Sequence, residues 1–263
     1  MSSRFLRACV VMIVLTCTLC LWASPPVRVC ADPDNLPFSN RARQGFDNRI
    51  AMLVLHTLHR QGEFVWVRSR RGFLREEFNK GLCDLLIGAP VGMRGVTTTD
   101  PYYRSTYVFV TPSREHLQIA RFDDPQLKGR RIGLQILEED YAPPSLPLIR
   151  EGYAAHLVGF DSFGKHAGDI VRAVAGGQIG TAVVWGPIAG FFKKKEQLPL
   201  TLTPVSPERD ASGVPFAYSI GFAVHHGDLA LRDALNRGLK ESRSSIRAIL
   251  GEYGVPLGMK EAR

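Results

Sequence analysis

The chain has 263 residues, 45% apolar and 22% charged, with a formal net charge of +8. This composition supports one large domain or two lobes of ordinary size and excludes a disordered chain. The basic residues are scattered, apart from Arg68-Arg70-Arg71 and Lys193-Lys194-Lys195. That pattern fits a solvated face or an acidic protein partner rather than nucleic acid.

Arg4 and Arg7 precede an apolar run over residues 8–22, followed by Ala23, Ser24 and two prolines. A basic front, a short apolar stretch and small residues behind it read as a secretory signal peptide, residues 1–23. About 20 apolar residues are needed to span a bilayer, so no stable span is expected after cleavage. Cleavage removes Arg4 and Arg7 and no acid, which lowers the net charge from +8 to +6. It also removes Cys9, Cys17 and Cys20 and leaves Cys30 and Cys83.

Val27 to Ala31 reads as a strand and residues 32–40 as a turn-rich loop. Ile50, Leu53, Val54 and Leu58 recur at helical spacing between Asp47 and His59. Phe64 to Val67 is a second strand, Gly72 to Asn79 a short helix and Asp84 to Gly88 a third strand. Strands that are apolar on both faces belong to a parallel sheet covered by helices. Thr106 to Val110 leaves this first lobe. The pattern then restarts, with strands at Arg131 to Leu134, Leu157 to Val158 and Thr181 to Trp185. A helix ends at Gly152, a second spans His166 to Ala175, and a third follows Gly186-Pro187. Gly221 to Val224 is a returning strand, and Leu229 to Leu250 reads as one long amphipathic helix.

The expected fold is therefore α/β, with two α/β lobes and a ligand cleft between them. Lobe 1 is expected to comprise residues 24–111 and 219–263, and lobe 2 residues 112–218. Extended segments near 106–111 and 218–223 would form two hinge strands. Ligands of open parallel sheets sit beyond the carboxyl ends of the strands, so those ends would line the shared cleft.

Several motifs sharpen this reading. Asp100 to Val110 resembles the hinge entry of type II extracellular solute-binding proteins; the others are Val29 to Asn40 (VCADPDNLPFSN), Arg71-Gly72-Phe73, Cys83 to Pro90 (CDLLIGAP), Ala182 to Pro187 (AVVWGP) and Tyr253-Gly254-Val255-Pro256. Over nearly the whole mature chain they resemble the substrate-binding-like J proteins of methanol oxidation systems (MoxJ/XoxJ type, quinoprotein dehydrogenase-associated). That group lies within the type II periplasmic solute-binding proteins (extracellular solute-binding protein family 3). The resemblance implies a periplasmic accessory protein, not an enzyme, that supports maturation or activity of a quinoprotein methanol dehydrogenase. The alternative is a conventional transport receptor for a small, non-amino-acid ligand.

Amino-acid receptors of this fold hold the ligand carboxylate with an Arg and its ammonium with an Asp, both through charge-assisted hydrogen bonds. Register places Gly92 and Trp185 at those positions, and Arg94 lies two residues off. The charged clamp is thus expected to be lost. The expected cleft residues are Asp32, Asn35, Phe38, Arg71, Phe73, Pro90, Tyr102, Tyr103, Gln135 and Trp185. Such an aromatic set suits a small apolar or aromatic ligand, or a protein loop. Trp185 and Phe73 equally fit as core behind the cleft, and Asp32 as the cap of a turn. Tyr102 and Tyr103 are expected to divide, one toward the core and one toward the cleft.

None of the seven histidines sits in a metal-protease or nucleophile-elbow context, and no catalytic residue, cofactor or metal site is expected. Cys30 and Cys83 could pair in an oxidising compartment. Their offset in neighbouring parallel strands is roughly three residues, about 10 Å. A disulfide needs Cα atoms within about 7 Å, so pairing would require a shifted register.

Overall fold

The computed structural model describes residues 25–137 and 139–257; the expected signal peptide, with its three cysteines, lies outside them. In chain order the first elements are β1 (Val27–Ala31), β2 (Asp34–Asn35), β3 (Ser39–Asn40), α1 (Phe46–Thr57), β4 (Gly62–Trp66), α2 (Phe73–Glu76), β5 (Leu85–Pro90) and β6 (Thr97–Thr98). Then come β7 (Tyr103–Pro112), β8 (Ile132–Leu137), β9 (Asp140–Tyr141), α3 (Ser145–Arg150), β10 (Leu157–Asp161), α4 (Asp169–Ala175), β11 (Thr181–Trp185) and α5 (Gly186–Lys195). The chain finishes with β12 (Leu200–Pro204), β13 (Ala217–Val224), α6 (Leu229–Glu241) and α7 (Arg243–Glu252).

The principal strand order is β10-β8-β11-β7-β13-β5-β1-β4. At one end β4, β1 and β5 run parallel; at the other, β10, β8 and β11 do. Between them β7 and β13 run antiparallel to each other and pass from one lobe to the other. Tyr103 to Thr106 of β7 pairs with Ala217 to Ile220 of β13, whereas Tyr107 to Val110 turns to β11. These are the two hinge strands.

Each lobe covers its sheet on both faces, which explains the apolar strands. In lobe 1, Val29, Leu85 and Phe222 pack against Ile50 and Val54 of α1 and Leu235 and Ile246 of α6 and α7. On the opposite face Cys30, Ala89 and Ala223 meet Phe78 and Cys83. In lobe 2, Val108, Val110 and Val184 face α4 and α5, while Phe109, Leu134 and Val183 face Phe122 and Phe216. Successive residues of one strand therefore enter different cores, as the period of two requires.

Two sequence expectations are corrected. The long C-terminal helix is two helices, broken at Ser242, whose side chain is buried and hydrogen-bonded to Thr57 Oγ1 at 2.9 Å. That contact pins the break onto α1, so both helices follow its surface. The helix expected over Gly72 to Asn79 ends at Glu76; Glu77 departs from helical geometry at φ −128°, and a single 3₁₀ turn, Phe78–Lys80, follows. Among the described residues, no helix is long and apolar enough to cross a membrane.

The C-terminal tail seals the hinge. Ser105 Oγ donates to the Pro256 carbonyl at 2.6 Å. A Cβ on Gly190 of α5 would lie 2.0 Å from the Gly254 oxygen. Gly190→Ala should gain about 1 kcal/mol of helix propensity. The backbone clash should cost about 1–3 kcal/mol and win, or at least cancel that gain. Thermal unfolding checks this: a variant clearly more stable than the parent would mean that the tail moves freely off α5.

Candidate interlobe cleft

A cavity of about 390 Å³ lies between the lobes at the carboxyl ends of β1, β5, β8 and β11. On the lobe 1 side it is shaped by the loop after β1. Asp32 Oδ1 accepts from the Asp34 amide at 2.9 Å, and its Oδ2 accepts from the Ser69 amide at 2.6 Å. The carboxylate thus caps a turn and also ties that loop to the segment following β4. Ser39 Oγ donates to the Asp32 carbonyl at 2.8 Å. The same loop caps α1: the amides of Phe46 and Asp47 donate to the carbonyls of Pro37 and Phe38. These bonds satisfy two amides that a helix start leaves unpaired. They also set the first turn of α1 at the cavity floor.

Of the residues expected in the cleft, Asp32, Asn35, Phe38, Phe73, Pro90, Tyr103, Gln135 and Trp185 line the cavity. Phe38 packs edge-on against Phe46 with ring centroids 5.4 Å apart. Gln135 is 1% exposed and its Oε1 accepts from the Trp185 amide at 2.7 Å. That bond fixes the junction of β11 and α5. The Trp185 ring then packs edge-on against Tyr107 and Tyr218 at 5.3 and 5.8 Å. Trp185 therefore serves both roles weighed for it, as wall and as packing.

Two expected residues fall outside the wall. Arg71 reaches over the mouth, where its guanidinium meets Asp140 of lobe 2 at 2.8 Å. Their side chains are 77% and 73% exposed, so this interlobe pair contributes at most about 1 kcal/mol. Tyr102 turns behind the wall, and Tyr103 alone of the two lines the cavity. The Tyr102 hydroxyl donates to Asp47 Oδ1 at 2.7 Å and accepts from the Gly88 amide at 3.0 Å.

The sequence reading did not single out Asp47, Ser162, Tyr107 or Ile188, all of which line the cavity. Asp47 looked like one more polar residue in the first turn of an amphipathic helix, and only the fold turns it inward. Burial pushes its carboxyl up to about 7, against the hydrogen bond from Tyr102. Burial, then the charge of Asp47, pushes the Tyr102 and Tyr103 phenols well above their usual range.

Among the described residues, the positions of the amino-acid clamp hold Gly92 and Trp185 and no charged pair. Gly92 is a turn residue with φ 82°, its amide donating to Thr98 Oγ1, and neither it nor Arg94 reaches the cavity wall. Arg68, which is exposed, is the one cationic side chain among the described lining residues. No group of three or more His, Cys, Asp or Glu among the described residues is arranged to hold a metal ion.

Cys30 and Cys83 form a disulfide with Cα atoms 5.7 Å apart. The strand register is the unshifted one, with Cys30 opposite Leu86. The chain bends before β5, where the Asp84 amide donates to the Arg28 carbonyl and the Arg28 guanidinium grips Gly81, Leu82 and Asp84. Pairing thus needs no shift of register, because Cys83 is not on a straight extension of its strand.

No protein-family profile matches the chain. Two curated relatives called Protein MoxJ, from Methylorubrum extorquens and Paracoccus denitrificans, are each 29% identical to it over 88% of its length, covering 81% and 88% of their own. The crystal structure of MxaJ from Methlophaga aminisulfidivorans MPT is 31% identical with a TM-score of 0.76, over 88% of this chain and 100% of that one. That of the periplasmic binding protein XoxJ from Methylobacterium extorquens AM1 is 32% identical with a TM-score of 0.73, over 89% and 100%. An ancestral cationic amino acid solute binding protein, 18% identical with a TM-score of 0.68 over 87% of this chain and 95% of that one, shares the fold alone. With two α/β lobes, two hinge strands and an interlobe cleft, the chain belongs to the MoxJ/XoxJ family of periplasmic-binding-protein-like proteins.

Proposed function

We propose that the protein is a periplasmic accessory factor, exported by residues 1–23, that docks on a quinoprotein methanol dehydrogenase and supports its maturation or activity. The observation that carries this reading is the cleft without its amino-acid clamp, in a chain similar to proteins named MoxJ, MxaJ and XoxJ. Its walls are aromatic and apolar, the composition that dominates protein interfaces. Lobe 1 comprises residues 24–111 and 219–263, lobe 2 residues 112–218. Asp32, Asn35, Phe38, Phe73, Pro90, Tyr103, Gln135 and Trp185 meet the occupant, with Arg71 and Tyr102 supporting the mouth and the floor. The protein performs no catalysis of its own and carries no cofactor or metal.

A second reading, a transport receptor for a small non-amino-acid solute, is favoured by the cavity of about 390 Å³, whose size is that of a small-molecule site. One pair of experiments separates the two. Crosslinking and pull-down from methanol-grown periplasm should recover a quinoprotein dehydrogenase. Repeated failure to recover it, together with a solute that raises the melting temperature, selects the receptor.

A further inference from the structure

The cleft keeps one carboxylate that the fold leaves half satisfied. Asp47 is 1% exposed, yet it forms part of the cavity wall. Its Oδ1 accepts from Tyr102, and no hydrogen bond from the described residues reaches Oδ2. Gly88 opens the approach: a Cβ there would lie 3.0 Å from Oδ2. Phe38, Tyr103 and Trp185 also line this space.

The balance of charge is negative. Asp32 is held by two backbone amides, Asp47 has no cationic partner among the described residues, and Arg68, the one described cation on the wall, is exposed. Buried charges in proteins are ordinarily paired. A ligand that brings one positive charge with N–H donors supplies the missing partner, and aromatic faces attract such a cation. Among the described residues no arginine stands at the position that holds the carboxylate in amino-acid receptors, which favours a ligand without a carboxylate.

We infer that the interlobe cavity binds a small organic ammonium ion. An N–H of the ligand donates to Asp47 Oδ2, and its hydrocarbon body lies against Tyr103 and Trp185. This goes beyond the dehydrogenase reading and does not depend on it: the pull-down can fail while the ammonium binds, and the reverse.

The test uses the mature protein with phenethylammonium as probe, phenethyl alcohol as its neutral match and phenylalanine as the carboxylate-bearing control. Thermal shift and calorimetric titration at about pH 8 should show binding of phenethylammonium and little of the other two. Asp47→Asn should weaken binding roughly tenfold to a hundredfold, the worth of a hydrogen bond to a charged group. Lowering the pH to about 5.5 should weaken binding to the unaltered protein as well. Asp47 then takes up a proton while the amine, with a pKa near that of lysine, stays charged. The titratable groups facing Asp47 are Tyr102 and Tyr103, which stay neutral throughout because both phenols are pushed upward. The pH series decides the matter even if the variant folds poorly. Absence of millimolar binding, equal binding of the alcohol, or binding indifferent to both Asp47→Asn and pH overturns the proposal.

Discussion

Replacing Cys30 and Cys83 by alanine is expected to lower stability by about 4 kcal/mol. The disulfide spans a sequence separation of 53 residues, and closing a loop of that size removes about 4 kcal/mol of entropy from the unfolded chain at 25 °C. Inside the loop lie α1, β4 and α2, the elements that carry Asp47 and Phe73 to the cleft. Both cysteines are buried, with Phe78 and Ala223 in the same cluster, so each alanine also leaves a small apolar gap rather than an orphaned polar group. For a chain of this length, about 4 kcal/mol corresponds to a melting temperature lower by roughly 8–16 °C. Calorimetry of the double variant measures the effect directly. Oxidised protein should show no free thiol among the two even when unfolded in denaturant, until a reductant is added. A variant that melts with the parent, or a thiol count of two in the unfolded, unreduced parent, would show that the bridge does not form. Because Cys30 also lines the cavity, loss of the bridge should loosen the Ala31-Asp32 corner and with it the capped start of α1.

The two lobes were legible because both sheets are covered on two faces. That arrangement forces continuous apolar strands such as Val183-Val184 and Val108 to Val110, and these can be read without knowing what covers them. The hinge strands were legible for the same reason, since two long extended segments had to reconnect the halves. Contacts made by bends rather than by periodicity were not legible. A straight strand would hold the two cysteines about 10 Å apart, whereas the turn at Gly81 and the grip of Arg28 on Asp84 bring Cys83 across to Cys30. Ser242 breaks the last helix through a contact with Thr57, 185 residues away, which no local pattern encodes. Within the cleft, aromatic residues at strand ends were found because strand ends must face it. Asp47 was not, since its spacing matches any polar helix residue. The signal that could have exposed it is the Gly88 opposite, an open place in an otherwise apolar strand.

Asp47 is expected to make the protein less stable as the pH rises, the opposite of an ordinary paired carboxylate. A paired carboxylate has a depressed pKa and loses its contribution as the pH falls. Here burial raises the folded-state value from 3.8 to about 7. The folded protein therefore holds a proton that the unfolded chain has already released, and the penalty grows from about pH 4 to about pH 7 and is constant above. A shift of about three units corresponds to about 4 kcal/mol. The position of Asp47 in the first turn of α1 offsets only about 0.3–1 kcal/mol through the helix dipole, so desolvation wins. Glu76, Asp84, Asp210 and Glu252 are all lowered from their usual values, and their contribution is lost only below about pH 4, outside this window. Asp47→Asn keeps an oxygen for the Tyr102 hydroxyl and removes the charge. It is expected to stabilise the protein by about 2–4 kcal/mol at about pH 8 and by much less near pH 4. Urea unfolding of both proteins across that range reads the difference, and parallel stability curves would show that Asp47 is ionised without penalty. A residue whose replacement strengthens the fold is one the fold does not need. Its cost at neutral pH is offset when a cation enters the cleft, and stability gained from the ammonium probe should be largest where the carboxylate is charged and much smaller in the asparagine variant.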